Sequence, residues 1–385
     1  MSSDGKEIEN VCSRCILDDT VPDIKFDADG VCNYCKIHDD MEKNHPLGEE
    51  GVRNFDEMIS RIKHDGLKKR YDCIVGVSGG RDSTYTLYLA VKNGLRPLAV
   101  HFDNGWNSDI AVSNIKNATE SLGVDLHTHV ARWEEFKDLQ KSFLKASVSD
   151  AEVPTDYVIL SVLYDMARKT GVKYILNGHS FRTEGVAPIG WTYMDGRYIR
   201  SVHRVYGNQR LKSFPIMGMG GLIFNTLVKG IRVINLPEFV EYEHETVNRI
   251  IEEETGWKYY GGHHHESIYT EFFQSYYLPV KFNIDKRKLE LSALVRSGQI
   301  TREDALDEVS QPYPFSKEKI NYTVNKLGMT KEEFDAVMSA EPRSFKDYPT
   351  YFRTIQRLRR PIKWACDKGL LPHVFYEKYL GREVS

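Results

Sequence analysis

The chain has 385 residues, room for two or three domains, and its 28% of charged residues nearly cancel, to a net charge of −3. That balance leaves no bulk electrostatic footprint for nucleic acid or for an anionic membrane surface. No apolar run approaches the ~18 residues of a membrane span and no basic-apolar-small signal opens the chain, so a cytoplasmic location, with no membrane and no nucleic-acid partner, is expected.

Residues 1–11 are polar. Cys12-Ser-Arg-Cys15 and Cys32-Asn-Tyr-Cys35 follow, two C-x-x-C pairs, each able to form a knuckle presenting two thiolates. The FDADGVC stretch between them, with Asp29-Gly30 at its turn, reads as a short hairpin that brings the knuckles together. Cys12, Cys15, Cys32 and Cys35 therefore predict a tetrahedral Zn²⁺ site, structural because protein fills all four positions. Iron-sulfur ligation by the same four is the alternative. His38 reads as solvated surface, and the polar residues 40–56 as a linker.

An amphipathic helix over 55–69 leads into Tyr71-Asp-Cys-Ile-Val-Gly-Val-Ser-Gly-Gly-Arg-Asp-Ser83. The β-branched run predicts a strand over 72–77. It breaks at Ser78-Gly79-Gly80, and a helix follows over 82–93. Adjacent glycines let the backbone approach an anion with no Cβ in the way, and the first N–H groups of the helix carry partial positive charge toward it. The lysine-serine pair of the Walker loop is missing, and G-x-G-x-x-G is not matched. Strands at 97–102, 125–130 and 173–177 alternate with helices at 109–122, 133–146 and 155–170, which implies right-handed crossovers and a doubly wound parallel α/β sheet. Ligands of such sheets sit beyond the carboxyl ends of the strands. Three of those ends are polar here: the SGG turn, the step with Asp103 and Asn104, and the step Asn177-Gly178-His179 followed by Glu184.

Gly185 to Tyr206 is rich in aromatics, glycine and arginine and reads as a loop-rich lid or an exposed hairpin. Pro215 to Gly221 is glycine-rich, suited to close helix packing. Glu241 to Thr255 reads as a helix stopped at Gly256, before Trp257-Lys-Tyr-Tyr-Gly-Gly-His-His-His-Glu266. Neighbouring histidines point apart, so contact of His264 or His265 with an anionic substrate is favoured over a metal site. Lys281, Lys286 and Arg287 cluster at a helix entrance, where they either neutralise a polyphosphate leaving group or sit as solvated charges. Helices are expected over 317–327 and 331–340, and Cys366 as a buried thiol. The domains expected are 1–50, a zinc-ribbon-like module; 51–240, the sheet domain; and 241–385, mostly helical.

The SGG-x-DS pattern resembles the PP-loop of the ATP pyrophosphatases, the family of GMP, NAD and asparagine synthetases and the tRNA thiolases. Taken with CSRC and CNYC, HFDNGWNS, ILNGHS, YYGGHHHES, LPVKFNIDKRK and SGQITREDAL, the whole chain resembles the N-acetyl sugar amidotransferases of lipopolysaccharide and pseudaminic acid biosynthesis. The resemblance implies ATP with Mg²⁺ near Asp82, pyrophosphate held by Ser78, Gly79, Gly80 and Ser83, and charge offset by Lys281, Lys286 and Arg287. It implies a nucleotide pocket at Asp103, Asn104, Asn177, Gly178 and His179. The implied acceptor is a nucleotide-linked N-acetyl sugar, and the implied partner a separate glutaminase subunit that supplies ammonia. A PP-loop tRNA thiolase is the rival reading, weakened because Cys73 sits mid-strand and Cys366 is distant. A non-enzymatic zinc-bearing scaffold is another.

Overall fold

The computed structural model describes residues 10–262, 265–368, 370–371 and 380. Five parallel strands form its sheet: β1 (Cys73–Gly76), β2 (Pro97–Asp103), β3 (Asp125–Val130), β4 (Tyr174–Asn177) and β5 (Arg232–Asn235), in the order β3-β2-β1-β4-β5. The chain steps outward from β1 through β2 to β3, then returns to the other side of β1 for β4 and β5. The switch point therefore lies between β1 and β4, where Ile74 pairs with Ile175.

Side chains of successive strand residues point to opposite faces, and β1 divides accordingly. Ile74 faces a core shared with Leu98, Val100, Phe102, α5 (Trp133–Lys145) and α6 (Val153–Thr170). Cys73 and Val75 face a second core with Tyr85 and Leu89 of α3 (Arg81–Lys92) and Ile115 of α4 (Asp109–Ser121). The expected strands and crossover helices are all present.

Four expectations change. Residues 40–56 are no linker: α1 (Asn33–Asn44) and α2 (Gly48–Gly66) occupy them, with a break of three residues between. His38 is 2% exposed and packs edge-on against Phe181, so it is not surface. The end of the 185–206 stretch is α7 (Gly196–Tyr206), capped by Asp195, whose carboxylate accepts from Tyr198 N at 2.6 Å. Tyr198, Ile199 and Val202 of α7 are fully buried, and Arg200 donates to Ile216 O, so this segment is core and not a lid. Of the glycines after Pro215, Gly218 and Gly220 pack against nothing and Gly221 only against Met217, and α8 (Met219–Ile223) and the wider π turn that continues it over Phe224–Val228 stand largely exposed.

The remaining helices are α9 (His244–Thr255), α10 (Ile268–Phe272), α11 (Leu278–Phe282), α12 (Arg287–Arg296), α13 (Arg302–Ser310), α14 (Lys317–Lys326), α15 (Lys331–Ser339), α16 (Phe352–Arg357) and α17 (Arg359–Asp367). Helix α9 packs on the α3/α4 side through Val247 and Ile251. The cysteine module rests on α12 and α13. Arg302 donates to the carbonyls of Cys12 and Cys15, at 2.9 and 3.0 Å, and Ile16 packs with Leu291 and Ala305. Among the described residues no helix is long and apolar enough to cross a membrane.

Candidate active site and zinc centre

The anion turn is built as its glycines require. Gly79 has φ +81°, and a Cβ there would lie 2.3 Å from the carbonyl oxygen of Ala111. Only glycine fits. Ser78 N donates to Ser83 Oγ at 3.2 Å, and Gly80 N to Ser78 Oγ at 3.2 Å, which curls the backbone N–H groups inward at the start of α3. From the β4 end, a Cβ on Gly178 would sit 2.7 Å from the carbonyl carbon of Asp82. The third polar strand end thus abuts the first turn of α3, across the switch point.

His101 fixes the β2 side. Its Nδ1 donates to Val77 O at 2.9 Å and its Nε2 accepts from Asn107 Nδ2 at 3.0 Å, which defines a neutral tautomer. Burial lowers its pKa, in keeping with that state, although Val77 O opposes the shift. Asp103 Oδ1 accepts from Gly105 N at 2.9 Å and Asn104 Oδ1 from Trp106 N at 3.0 Å, so both side chains close the turn after β2. Asn177 Nδ2 donates to Asn235 Oδ1 at 3.1 Å, and His179 Nδ1 lies 2.8 Å from Glu184 Oε2. Of Asn177, Gly178 and His179, Gly178 is the one that meets the turn, with the other two on either side of it in the chain.

The cationic cluster is engaged elsewhere. Lys281 Nζ donates to the carbonyls of Val337 and Ala340, closing the C-terminal end of α15, at 2.6 and 2.5 Å. Arg287 is bidentate to Asp285 and donates to Gln311 O. Lys286 lies over the ring of Phe273, 5.5 Å from its centroid. Lys281 is not a solvated charge either: it is buried, burial lowers its pKa, and its ammonium is spent on a helix end.

In their place Tyr242, Trp257, Tyr260 and Glu266 return to the turn. Trp257 Nε1 donates to Gly79 O at 3.0 Å, and Asn114 Nδ2 to the same oxygen at 3.1 Å. Arg81 N faces Tyr260 OH at 3.4 Å, Ser78 Oγ donates to Glu266 Oε1 at 3.3 Å, and the Tyr242 hydroxyl donates to Asp82. Burial raises the Tyr242 pKa, with the Asp82 charge adding to it, so the phenol stays protonated. Arg81 points inward: burial opposes its charge, but Asp82, Tyr242 and Tyr260 outweigh that and hold its pKa above the ordinary value. The aromatic run WKYYGG is the sequence signal for this cover. Nothing local in the chain places Tyr242, Trp257, Tyr260 and Glu266 against a turn 160 to 188 residues back, so the sequence does not single them out. His264 lies outside the described residues, and His265 sits in the same segment, with its backbone N–H on Gly262 O at 3.4 Å.

The four cysteines are fully buried, with their sulfurs all within 4.8 Å of one another. Cys12–Cys35, Cys15–Cys32 and Cys32–Cys35 are 3.8, 3.8 and 3.7 Å apart. A tetrahedron with Zn–S bonds of about 2.3 Å has edges of about 3.8 Å. Cys12 Sγ also receives the N–H groups of Arg14, Cys15 and Cys32 at 3.2–3.5 Å, the knuckle geometry that supports thiolate. The set fits zinc.

Residues 72–181 match the family model of the queuosine biosynthesis protein QueC. The sheet domain has the PP-loop ATP pyrophosphatase fold. Residues 266–359 match the LPS biosynthesis protein WbpG-like, C-terminal domain. The chain is 30% identical over 170 residues to the uncharacterized protein MJ1599 of Methanocaldococcus jannaschii, covering 44% of this chain and 58% of that one. It is 34% identical over 116 residues to the 7-cyano-7-deazaguanine synthase of Leptospira interrogans, covering 27% and 48%. The chain thus spans about half the length of these curated relatives. The NMN synthetase structure from Francisella tularensis aligns with 73% of this chain and 95% of that one, at 13% identity and a TM-score of 0.29, too low to add to the strand order.

Proposed function

We propose that the chain is the synthetase subunit of an ATP-dependent, AMP-forming amidotransferase acting on a nucleotide-linked N-acetyl sugar, with ammonia delivered by a separate glutaminase. The reading is carried by one observation: Glu266, the first residue of the WbpG-like match, hydrogen-bonds Ser78 of the PP-loop turn, so the two matched regions meet at one site.

The acetamido carbonyl oxygen attacks the α phosphorus of ATP, and the bond to the bridging β-phosphate oxygen breaks, releasing pyrophosphate. The Gly79-Gly80 backbone, the Ser78 and Ser83 hydroxyls and the α3 N-terminus hold that leaving group. Asp82 and Glu266 flank the turn with the hard carboxylate oxygens that Mg²⁺ takes, and the bound ion would offset phosphate charge. Arg81, held inward beside Asp82, supplies a fixed positive charge. Ammonia adds to the adenylated imidate carbon, the carbon–oxygen bond to AMP breaks, and the product leaves as an amidinium. No covalent nucleophile is required. The thiols agree: burial raises the Cys73 pKa, and Cys366 is buried in α17.

Pyrophosphate release measured with Mg-ATP, ammonium and UDP-N-acetyl sugars tests this. Release that requires both ammonium and sugar supports it. Release stimulated by tRNA and indifferent to sugar would replace it with the thiolase-type reading, and no ATP consumption with any acceptor would favour a scaffold.

A further inference from the structure

The net charge of −3 conceals one strongly basic element. Residues 352–368, which form α16 and α17, carry six Lys or Arg and a single acid, Asp367. Arg353, Arg357, Arg360, Lys363 and Lys368 are all exposed, while Ile355, Ala365 and Cys366 face the core. Among the exposed cations stand two exposed apolar side chains, Leu358 at 43% and Trp364 at 58%. A polar helix face in an ordinary globular protein mixes both charge signs and keeps a tryptophan inside.

A second unusual surface is apolar. The π turn after α8 exposes Ile223, Phe224, Leu227 and Val228, the last at 68%. The two surfaces spring from one anchor. Tyr351 N donates to Asp195 Oδ2 at 2.7 Å, immediately before α16. The Met217 carbonyl, two residues before α8, accepts from the Tyr157 hydroxyl and lies 2.5 Å from where a Cβ of Gly196 would be. Asp195 and Gly196 are adjacent, so the segments that lead into the apolar turn and into the basic helices start from one anchor.

We propose that this face is an interfacial membrane-binding surface that seats the enzyme on anionic lipid headgroups. The cations complement the negative surface potential of an anionic bilayer, where each Lys or Arg contributes roughly a fivefold factor to binding. The apolar side chains enter the boundary between headgroups and acyl chains, as on amphipathic helices that lie in a bilayer without crossing it. Nucleic acid would satisfy the cations too, and Trp364 could stack on a base. It gives nothing to Leu227, Val228 and Leu358, which have no π face, whereas a lipid interface uses all of them.

The test is co-sedimentation of the full chain with phosphatidylcholine vesicles and with phosphatidylcholine–phosphatidylglycerol vesicles, at about 0.1 M salt, where charges are screened beyond about 10 Å. Binding only to the anionic vesicles is expected. Salt should reverse it, and a blue shift in tryptophan emission should accompany it, since Trp364 is far more exposed than the buried Trp106, Trp191 and Trp257. Replacing Arg357, Arg360 and Lys363 together by Gln should weaken partitioning roughly a hundredfold. Val228→Asp, at an exposed position, should weaken it while the melting temperature and zinc content stay unchanged. Equal binding to neutral vesicles, no binding to either, or displacement of the vesicles by an RNA oligonucleotide at the same salt would overturn the proposal. So would wild-type binding by the triple variant. If that variant does not fold, the salt reversal and the emission shift of the wild type decide the matter.

Discussion

Trp257 holds the anion turn from above: its indole N–H donates to the Gly79 carbonyl at 3.0 Å, across 178 positions of sequence. That bond ties the segment after α9 to the turn after β1. The same oxygen keeps its Asn114 donor when Trp257 is changed, so Trp257→Phe costs one shared hydrogen bond, about 1 kcal/mol. A small drop in denaturation midpoint is expected, together with a larger rise in KM for ATP. An unchanged KM would mean that the segment covers the turn without shaping it.

Gly79→Ala places a side chain at φ +81° and a carbon 2.3 Å from the Ala111 oxygen. Backbone strain of this kind costs on the order of 1–3 kcal/mol before the clash is relieved. The turn must shift, and ATP-dependent pyrophosphate release should fall at least a hundredfold. Gly123→Ala is the control, since its φ is also positive but nothing crowds it. It should lose stability alone.

The main features of the fold are legible in the sequence because the alternation of β-branched runs with amphipathic helices is strong, and β1 to β4 fall where that pattern puts them. Strand β5 is missed: its four residues are all half-buried, so Arg232-Val-Ile-Asn235 shows neither alternation nor a continuous apolar run. Helix α7 is missed because it mixes Arg and His with the Tyr, Ile and Val that it buries. At the site, the turn and the four cysteines carry local signatures, and local signatures can be read. Tyr242, Trp257, Tyr260 and Glu266 reach the turn only through tertiary packing. Lys281 shows the converse, since its spacing suggests a phosphate ligand and its packing assigns it to the end of α15.

Metal removal should unfold more than the knuckles. The cysteine module is fastened to α13 by Arg302 and to α12 through Ile16 and Ser292. Chelation, or Cys32→Ser, is expected to lower the melting temperature of the whole chain by several degrees, with zinc content falling in step. Arg302→Ala, which removes charged hydrogen bonds to two carbonyls, should cost roughly 1.5–3 kcal/mol with zinc retained. A separate early transition confined to the module would show that it is uncoupled from the helices.

Glu238 gives a pH signature. Burial is the main cause that pushes its carboxyl up to about 7, against the opposing influence of His179 and Asn235. The folded state therefore binds a proton that the unfolded chain releases near pH 4.5. Its contribution to stability is complete below that pH and is lost as pH rises to about 7, at about 1.4 kcal/mol per unit, or roughly 3 kcal/mol in all. The stability difference between wild type and Glu238→Gln, followed by urea unfolding, should fall across that window and stay flat above it. A difference independent of pH would mean that Glu238 is ionised throughout.

The most direct test of the proposed chemistry follows one atom. With a UDP-N-acetyl sugar labelled with oxygen-18 in the acetamido carbonyl, and with ATP, Mg²⁺ and ammonium, adenylation of that oxygen predicts that the label appears in AMP, one atom for each amidine formed. Label retained in the sugar, or AMP formed without it, would contradict the account.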